Sequence, residues 1–390
     1  HLWRTTGDSL ARRVAEETAD FLLRDLRTPE GGFASALDAD TVVDGHSHEG
    51  LTYAWTPAQL DEVLGPEDGS RAAALLDVTD EGTFEHGSST LQLRRDPDDP
   101  EWWGVVRERL LAARQERPQP SRDDKVVTAW NGLAVAALAD AGALLQRADL
   151  VEAAAMTAAF VLGTHDVEGT LRRTSRGGVV GASPAVLDDH GDLAEGLLAL
   201  HEATGDARWS EAADTLLDRS LERFVDADGV VHDTANDAPA LFSRPAGRSD
   251  NAEPSGAAAL AGALLTASAL TGSTRHRTAA TEVLAACGAV AAQDPRFAGW
   301  SLAVAEAALA GPLQVAVVGE GPVADELVRV VRASSSPGLV VVHGMPDAPG
   351  IPLLADRPLV DGGPAAYVCR GFVCDRPVTT PEDLLAALRS

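Results

Sequence analysis

Three stretches of this chain follow one plan, and that repeat constrains the fold more than any other feature of the sequence. WNGLAVAALADAGALLQ from Trp130, LDDHGDLAEGLLALHEATGD from Leu187 and EPSGAAALAGALLTASALTG from Glu253 are rich in Ala, Gly and Leu. Each follows a polar turn holding Asp or Asn, and the last two close on Thr-Gly, the usual left-handed stop of a helix. A second helix is expected after each, over 150–162, 208–224 and 274–287. Its apolar residues recur at three- and four-residue steps and so cover one face only. The leading turns lie 65 residues apart (Asp123 to Asp188) and then 62 apart (Asp188 to Asp250). Helix pairs on so long a period must bury their flanks against one another. Small-residue helices pack closely around an axis while amphipathic partners form an outer layer, which is the arrangement of a closed (α/α) toroid. An open superhelix is the alternative.

The N-terminus fits the same plan. HLWRTTGD (1–8) matches ALHEATGD (199–206), the tail of an inner helix, and 9–26 then matches the outer helix that follows it. The chain is expected to begin in the last turn of an inner helix, with the remainder upstream. After Gly311 the pattern changes to short β-branched runs, LQVAVVG and GLVVVHG, with a helix between them over 323–333 and another at 381–389. The expected division is a helical domain over 1–311 and a small α/β segment over 312–390. Gly319-Glu320-Gly321-Pro322 follows a strand as a phosphate loop would, but Glu320 repels a phosphate.

Composition narrows the partners. With 32 basic and 59 acidic residues the formal charge is −27, which disfavours nucleic acid and anionic membranes. No uninterrupted apolar run reaches the length of a bilayer span. Cys287, Cys369 and Cys374 are too few for a disulfide framework, and the spacing of the last two is not that of a zinc knuckle. A reducing, cytoplasmic setting is expected. Lys125 is the sole lysine among 32 basic residues, and asparagine occurs only at 131, 236 and 251, so these survivors of a biased composition mark positions to examine.

Several motifs taken in order resemble one family: GGFASALDAD (31–40), YAWTPAQLDEVLG (53–65), DDKVVTAWNGLAVAALA (123–139), LDDHGDLAEGLLALHEATGD (187–206), DTANDAPALFSRP (233–245), DNAEPSG (250–256) and YVCRGFVCDRPVTTPEDLLAAL (367–388). Together they look like the thioredoxin-domain-containing proteins of the spermatogenesis-associated type. That resemblance implies a mainly α fold, an (α/α)6 toroid of the six-hairpin glycosidase and N-acylglucosamine 2-epimerase type. It also implies a thioredoxin-like domain upstream in the same polypeptide. The chain departs from the family at His190, where an aromatic residue is usual, and near Leu51, where a lysine is usual.

The candidate site is a set of acidic turns. Asp123, Asp124 and Lys125 lead the first inner helix, with Trp130 and Asn131 following; they either cap that helix or orient a carboxylate beside a stacking face. Asp188 and Asp189 lead the second, with Asp192 and Glu195 close behind. Carboxylates crowded into one pocket raise one another's pKa, as a general acid requires. Asp250, Asn251 and Glu253 lead the third and are read either as helix initiation or as contacts to sugar hydroxyls. Asp38 and Asp40 lie in a glycine-flanked hairpin after a short strand at 32–36, and Tyr53 and Trp55 offer aromatic faces. His46, His48 and Glu49 fit a solvated loop better than a metal site, and no metal or cofactor is assigned. Two classes of function follow. In one, the aspartates at 123, 124, 188 and 189 perform glycosidase-like or epimerase-like chemistry on a sugar-like ligand. In the other, the same face is a non-catalytic surface holding a ligand or partner for the upstream domain.

Overall fold

The computed structural model describes residues 1–239 and 242–389; positions 240 and 241 of the DTANDAPALFSRP motif lie outside the described residues. The chain divides into two compact units, residues 1–35 with 124–390, and residues 36–123. The expected boundary at 311 is not where the chain divides. Ala316, Val318, Val340 and Val342 of the C-terminal sheet share one core with Leu197, Leu264 and Leu270 of the helices, so that segment packs as part of the larger unit.

The larger unit opens with α1 (Leu2–Thr6), stopped by Gly7 at φ 71, and α2 (Ser9–Phe21), capped by the Asp8 side chain on the Leu10 N–H. Helices thus stand at both positions, 1–8 and 9–26, where the repeat leads one to expect them. The smaller unit holds β1 (Ala36–Leu37), β2 (Asp40–Val43), β3 (His46–Glu49), α3 (Pro57–Leu64), α4 (Pro66–Leu76), α5 (Pro100–Gln115) and β4 (Arg122–Asp123). Trp55, Leu60, Leu64, Leu76, Val106 and Leu110 form its core. Its first helix is set by a capping box, Thr56 with Gln59, and by Pro57 at the first helical position, where no N–H is needed. The expected strand at 32–36 is instead β1, which pairs Ala36 with Asp123.

The larger unit resumes with β5 (Lys125–Val127), α6 (Thr128–Leu145) and α7 (Ala148–His165). Four short strands follow: β6 (Asp166–Val167), β7 (Thr170–Leu171), β8 (Thr174–Arg176) and β9 (Val179–Val180). Next come α8 (Leu187–Thr204), α9 (Ala207–Phe224), α10 (Gly256–Thr271), α11 (Thr274–Gln293) and α12 (Gly299–Ala310). Helix α8 packs between α6 and α10, and α7, α9 and α11 each pack on the helix before them. The three expected hairpins are present, and their inner helices meet through glycine. A Cβ on Gly132 of α6 would lie 2.5 Å from the Asp192 carbonyl of α8, and one on Gly191 would lie 2.7 Å from the Leu260 nitrogen of α10. Only hydrogen fits there, so backbone meets backbone. Helices α8 and α10 end on Gly205 and Gly272 at φ 70 and 78; α6 ends on Gln146 at φ 59, a left-handed stop made without glycine.

Helix α6 is long and apolar enough to cross a membrane by length and composition. Asp140 interrupts its apolar sequence. Asp140 pairs with Arg4, and α6 packs against α7 and α8, which bury Val135, Leu138, Ala139 and Gly142.

The chain closes with β10 (Leu313–Val318), α13 (Pro322–Arg332), β11 (Leu339–Gly344), β12 (Ala365–Arg370), β13 (Val373–Cys374) and α14 (Pro381–Arg389). The sheet order is β11-β10-β12-β13, with β10 and β11 parallel around α13 and the other pairs antiparallel. The expectation drawn from the cysteine count is corrected as well. Cys369 and Cys374 are joined by a disulfide, because hairpin register sets them directly opposite on β12 and β13. Cys287 is free and buried.

Candidate functional site

The first two turns of α8 concentrate the site. Asp189 is 0% exposed and accepts from the Val186 N–H at 2.9 Å, closing its own helix start. It also accepts from the Ala129 N–H of α6 at 3.0 Å, satisfying a donor in the first turn of the neighbouring helix. Arg173, from the segment between β7 and β8, sits 3.1 Å from Asp189 and 3.3 Å from Asp188. Burial pushes the Asp189 carboxyl up to about 7, the Arg173 charge opposes the rise, and Asp188 adds to it.

Asp192 lies one turn further along and is 2% exposed, and its Oδ2 has no hydrogen-bond partner among the described residues. Burial first, then the carboxylates of Asp188, Glu253, Asp189 and Glu195, push it up to about 9, so it holds its proton at neutral pH. Burial also raises Glu195 to about 6, a hydrogen bond from Thr266 opposing it. Arg173 is thus one cation among five acidic side chains.

Beside this cluster is a cleft of about 340 Å³, lined by Asp188, Asp233, Ser249, Asn251 and Glu253 among others. Trp130 of α6 is 43% exposed, and its indole N–H donates to Glu253. Trp130 and Glu253, distant in sequence, therefore fix each other, and the predicted residues Trp130, Asp188, Asp189, Asn251 and Glu253 gather within the larger unit.

Other predicted residues of the larger unit are not among those that line this cleft. Asp124 and Lys125 do not cap α6, because β5 intervenes; Lys125 is exposed and opposite Arg176 in the β5–β8 ladder. Asn131 is buried, with its amide spent on backbone: it accepts from the Phe33 N–H at 2.8 Å and donates to the Val127 and Phe33 carbonyls at 2.9 and 3.2 Å. Asp250 is likewise structural. It accepts from the Ser255 N–H at 2.9 Å and the Trp300 N–H at 2.8 Å, tying the α10 and α12 starts together.

Asp38, Asp40, Tyr53, Trp55 and Asp123 fall in the unit 36–123. There the Ser121 hydroxyl donates to Asp38 at 3.1 Å and the Ser47 hydroxyl to Asp40 at 2.6 Å. Trp55 is 1% exposed under the Arg117 guanidinium at 3.7 Å, so it is core rather than a stacking face. Arg114 covers the Tyr53 ring at 5.3 Å.

His190 faces α9, bonded to the Ser220 hydroxyl at 3.0 Å and edge-on to Phe224, and burial lowers it to about 3. Sequence reasoning missed Arg173 and Asp233. Nothing in LRRTSRGG separates Arg173 from Arg172, whose guanidinium turns to the Ala182 carbonyl. Asp233 lay inside a recognised motif, and its role appears only when its carboxylate accepts from the Gly247 N–H at 2.9 Å on the cleft wall.

No family model matches the chain. Among curated proteins it is similar to spermatogenesis-associated protein 20 of Homo sapiens, 28% identical over 98% of this chain and 55% of the relative. The protein of that name from Rattus norvegicus is 27% identical over the same shares, 98% and 55%. The chain spans about half the length of the curated relatives it matches. Among solved structures it is similar to the alpha-1,6-mannanase from Salegentibacter, at 16% identity over 77% of this chain and 80% of that one, with TM-score 0.38. It is also similar to cellobiose 2-epimerase from Bacillus thermoamylovorans, at 12% identity over 70% of each chain, with TM-score 0.34. Likeness at that level assigns no residue of this site.

Proposed function

We propose that the larger unit binds a hydroxyl-rich, sugar-like ligand in the cleft beside the α8 N-terminus, and that the carboxylates there carry acid–base chemistry on it. The observation that supports this most is the grouping of a cleft-lining Asp188, a buried Asp192 whose Oδ2 has no hydrogen-bond partner among the described residues, and an exposed indole held by Glu253. An aromatic face stacks on the apolar side of a sugar ring, and carboxylates around it accept from hydroxyls. Asp188 and Glu253 are the two carboxylates that reach the ligand, one taking a proton or activating water and the other returning one. Asp192 stays neutral and so adds no negative charge to the carboxylates of Asp188, Asp189 and Glu253 around it. Asp189, with its oxygens engaged by two N–H groups and Arg173, is a positioning residue that locks α6 to α8.

The same proposal makes the hairpins of this unit part of an (α/α) toroid. On the motif resemblance, the unit works next to a thioredoxin-like domain of the same polypeptide. The test is a thermal-shift screen of the chain against monosaccharides, sugar phosphates and oligosaccharides. A ligand at 100 times its Kd adds about 2.7 kcal/mol, and Asp188→Ala should abolish the shift. A panel without any shift, or one that Asp188→Ala leaves unchanged, refutes the reading.

A further inference from the structure

The disulfide lies far along the chain from the proposed site and serves none of the chemistry above. Cys369 is buried on β12, while Cys374 is exposed on the two-residue edge strand β13. The hairpin between them turns through Gly371 and Phe372, both at positive φ (56 and 70), as tight two-residue hairpins require. The Phe372 N–H donates to the Gln314 side chain at 3.0 Å, and the Asp375 N–H donates to the Val368 carbonyl at 2.9 Å. The turn and the chain beyond it are thus held by bonds that do not pass through sulfur.

Arg357 is the decisive neighbour. Its Nη2 lies 3.3 Å from the Cys374 Sγ and 3.6 Å from the Cys369 Sγ, while its Nη1 donates to the Ala355 carbonyl at 2.9 Å. A guanidinium fixed against both sulfurs does little for a neutral disulfide but stabilises either sulfur as a thiolate. Asp356 and Tyr367 are the other titratable groups near this guanidinium, and Arg370 is engaged with Asp375 at 3.1 Å.

We propose that Cys369–Cys374 is a reversible dithiol–disulfide site, reduced by a dithiol, with Arg357 as its positioning residue. A donor thiolate attacks the exposed Cys374 Sγ, forming a mixed disulfide and breaking the Sγ–Sγ bond. Cys369 leaves as a thiolate beside Arg357. The donor's second thiol then attacks its own sulfur in the mixed disulfide and releases Cys374. Two electrons pass from the dithiol to the protein, the donor leaves as a disulfide, and the released thiolates are protonated from solvent.

The experiment is differential alkylation with iodoacetamide and mass spectrometry, on the folded chain poised with dithiothreitol. Cys369 and Cys374 should become alkylated together at reductant levels that leave the buried Cys287 unmodified, and should re-pair on dilution into oxidised dithiothreitol. A pair that stays closed until Cys287 also reacts opens only on unfolding, which overturns the proposal. In the reduced protein Arg357→Gln should slow Cys374 alkylation roughly threefold or more, and Arg357→Lys should restore the rate. Equal rates in all three proteins would remove Arg357 from the site. If Arg357→Gln exposes Cys287, the comparison of Arg357→Lys with the unaltered chain and the dithiothreitol titration still decide.

Discussion

Gly132→Ala tests whether close backbone contact between α6 and α8 holds the site together. The added Cβ would lie 2.5 Å from the carbonyl carbon and oxygen of Asp192 and from the Leu193 nitrogen, and backbone atoms cannot swing aside. Contacts of this kind settle at about 3.5–4.0 Å, so the two helices must part by about 1 Å. Overpacking of this sort costs about 1–3 kcal/mol, while alanine gains about 0.8–1.0 kcal/mol over glycine in a helix. A gap of up to 1 Å also forfeits a quarter to a half of each contact along the seam, which places the net loss near 2 kcal/mol. Gly163→Ala in α7 is the control, because its Cβ meets nothing within 4 Å. That change should stabilise by about 0.5–1 kcal/mol. Urea unfolding followed by far-ultraviolet circular dichroism reads both; at an m-value near 3 kcal/mol/M, a 2 kcal/mol loss lowers the midpoint by about 0.7 M. A Gly132→Ala chain as stable as its parent would refute the close packing, and with it the placement of Asp192 against α6.

Asp192→Asn should change how stability depends on pH. A carboxyl raised to about 9 in the fold ionises earlier in the unfolded chain, so its contribution is whole below about pH 4 and is lost as pH climbs toward 9. Asp189 acts over the lower part of that window and Glu202, raised by burial to about 8, over much of it. The parent-minus-variant difference between pH 7 and 9 therefore isolates Asp192. The slope there should flatten by up to about 1.4 kcal/mol per pH unit, and identical slopes in urea titrations at pH 7, 8 and 9 would contradict the assignment. Asn131→Ala removes three buried backbone contacts and should cost about 2–3 kcal/mol, with ligand shifts in the thermal screen unchanged once the lower baseline is subtracted. A loss of ligand response without loss of stability would return Asn131 to the binding site.

The helical hairpins were legible because their signal is local. Small-residue helices, two of them with Thr-Gly stops and each followed by a second helix, appear where the pattern puts them, and so do the β-branched strands and the final helix after Gly311. The acidic start of α8 was legible for the same reason, since four carboxylates within eight residues are visible as text.

What sequence could not separate was which polar side chains face a cleft and which are consumed by backbone. Asn131 and Asp250 carry the same amide and carboxylate groups as Asn251 and Glu253, and only tertiary placement turned the first two onto N–H and carbonyl groups. Trp55 read as a stacking face and is core; Arg173 read as one of many arginines and is the cation of the site. The Cys369–Cys374 bond depended on hairpin register, which a five-residue separation alone does not reveal. Local periodicity is written along the chain, but burial, charge pairing and pKa depend on what other segments bring within a few ångströms. Those neighbours exist only once the helices have packed.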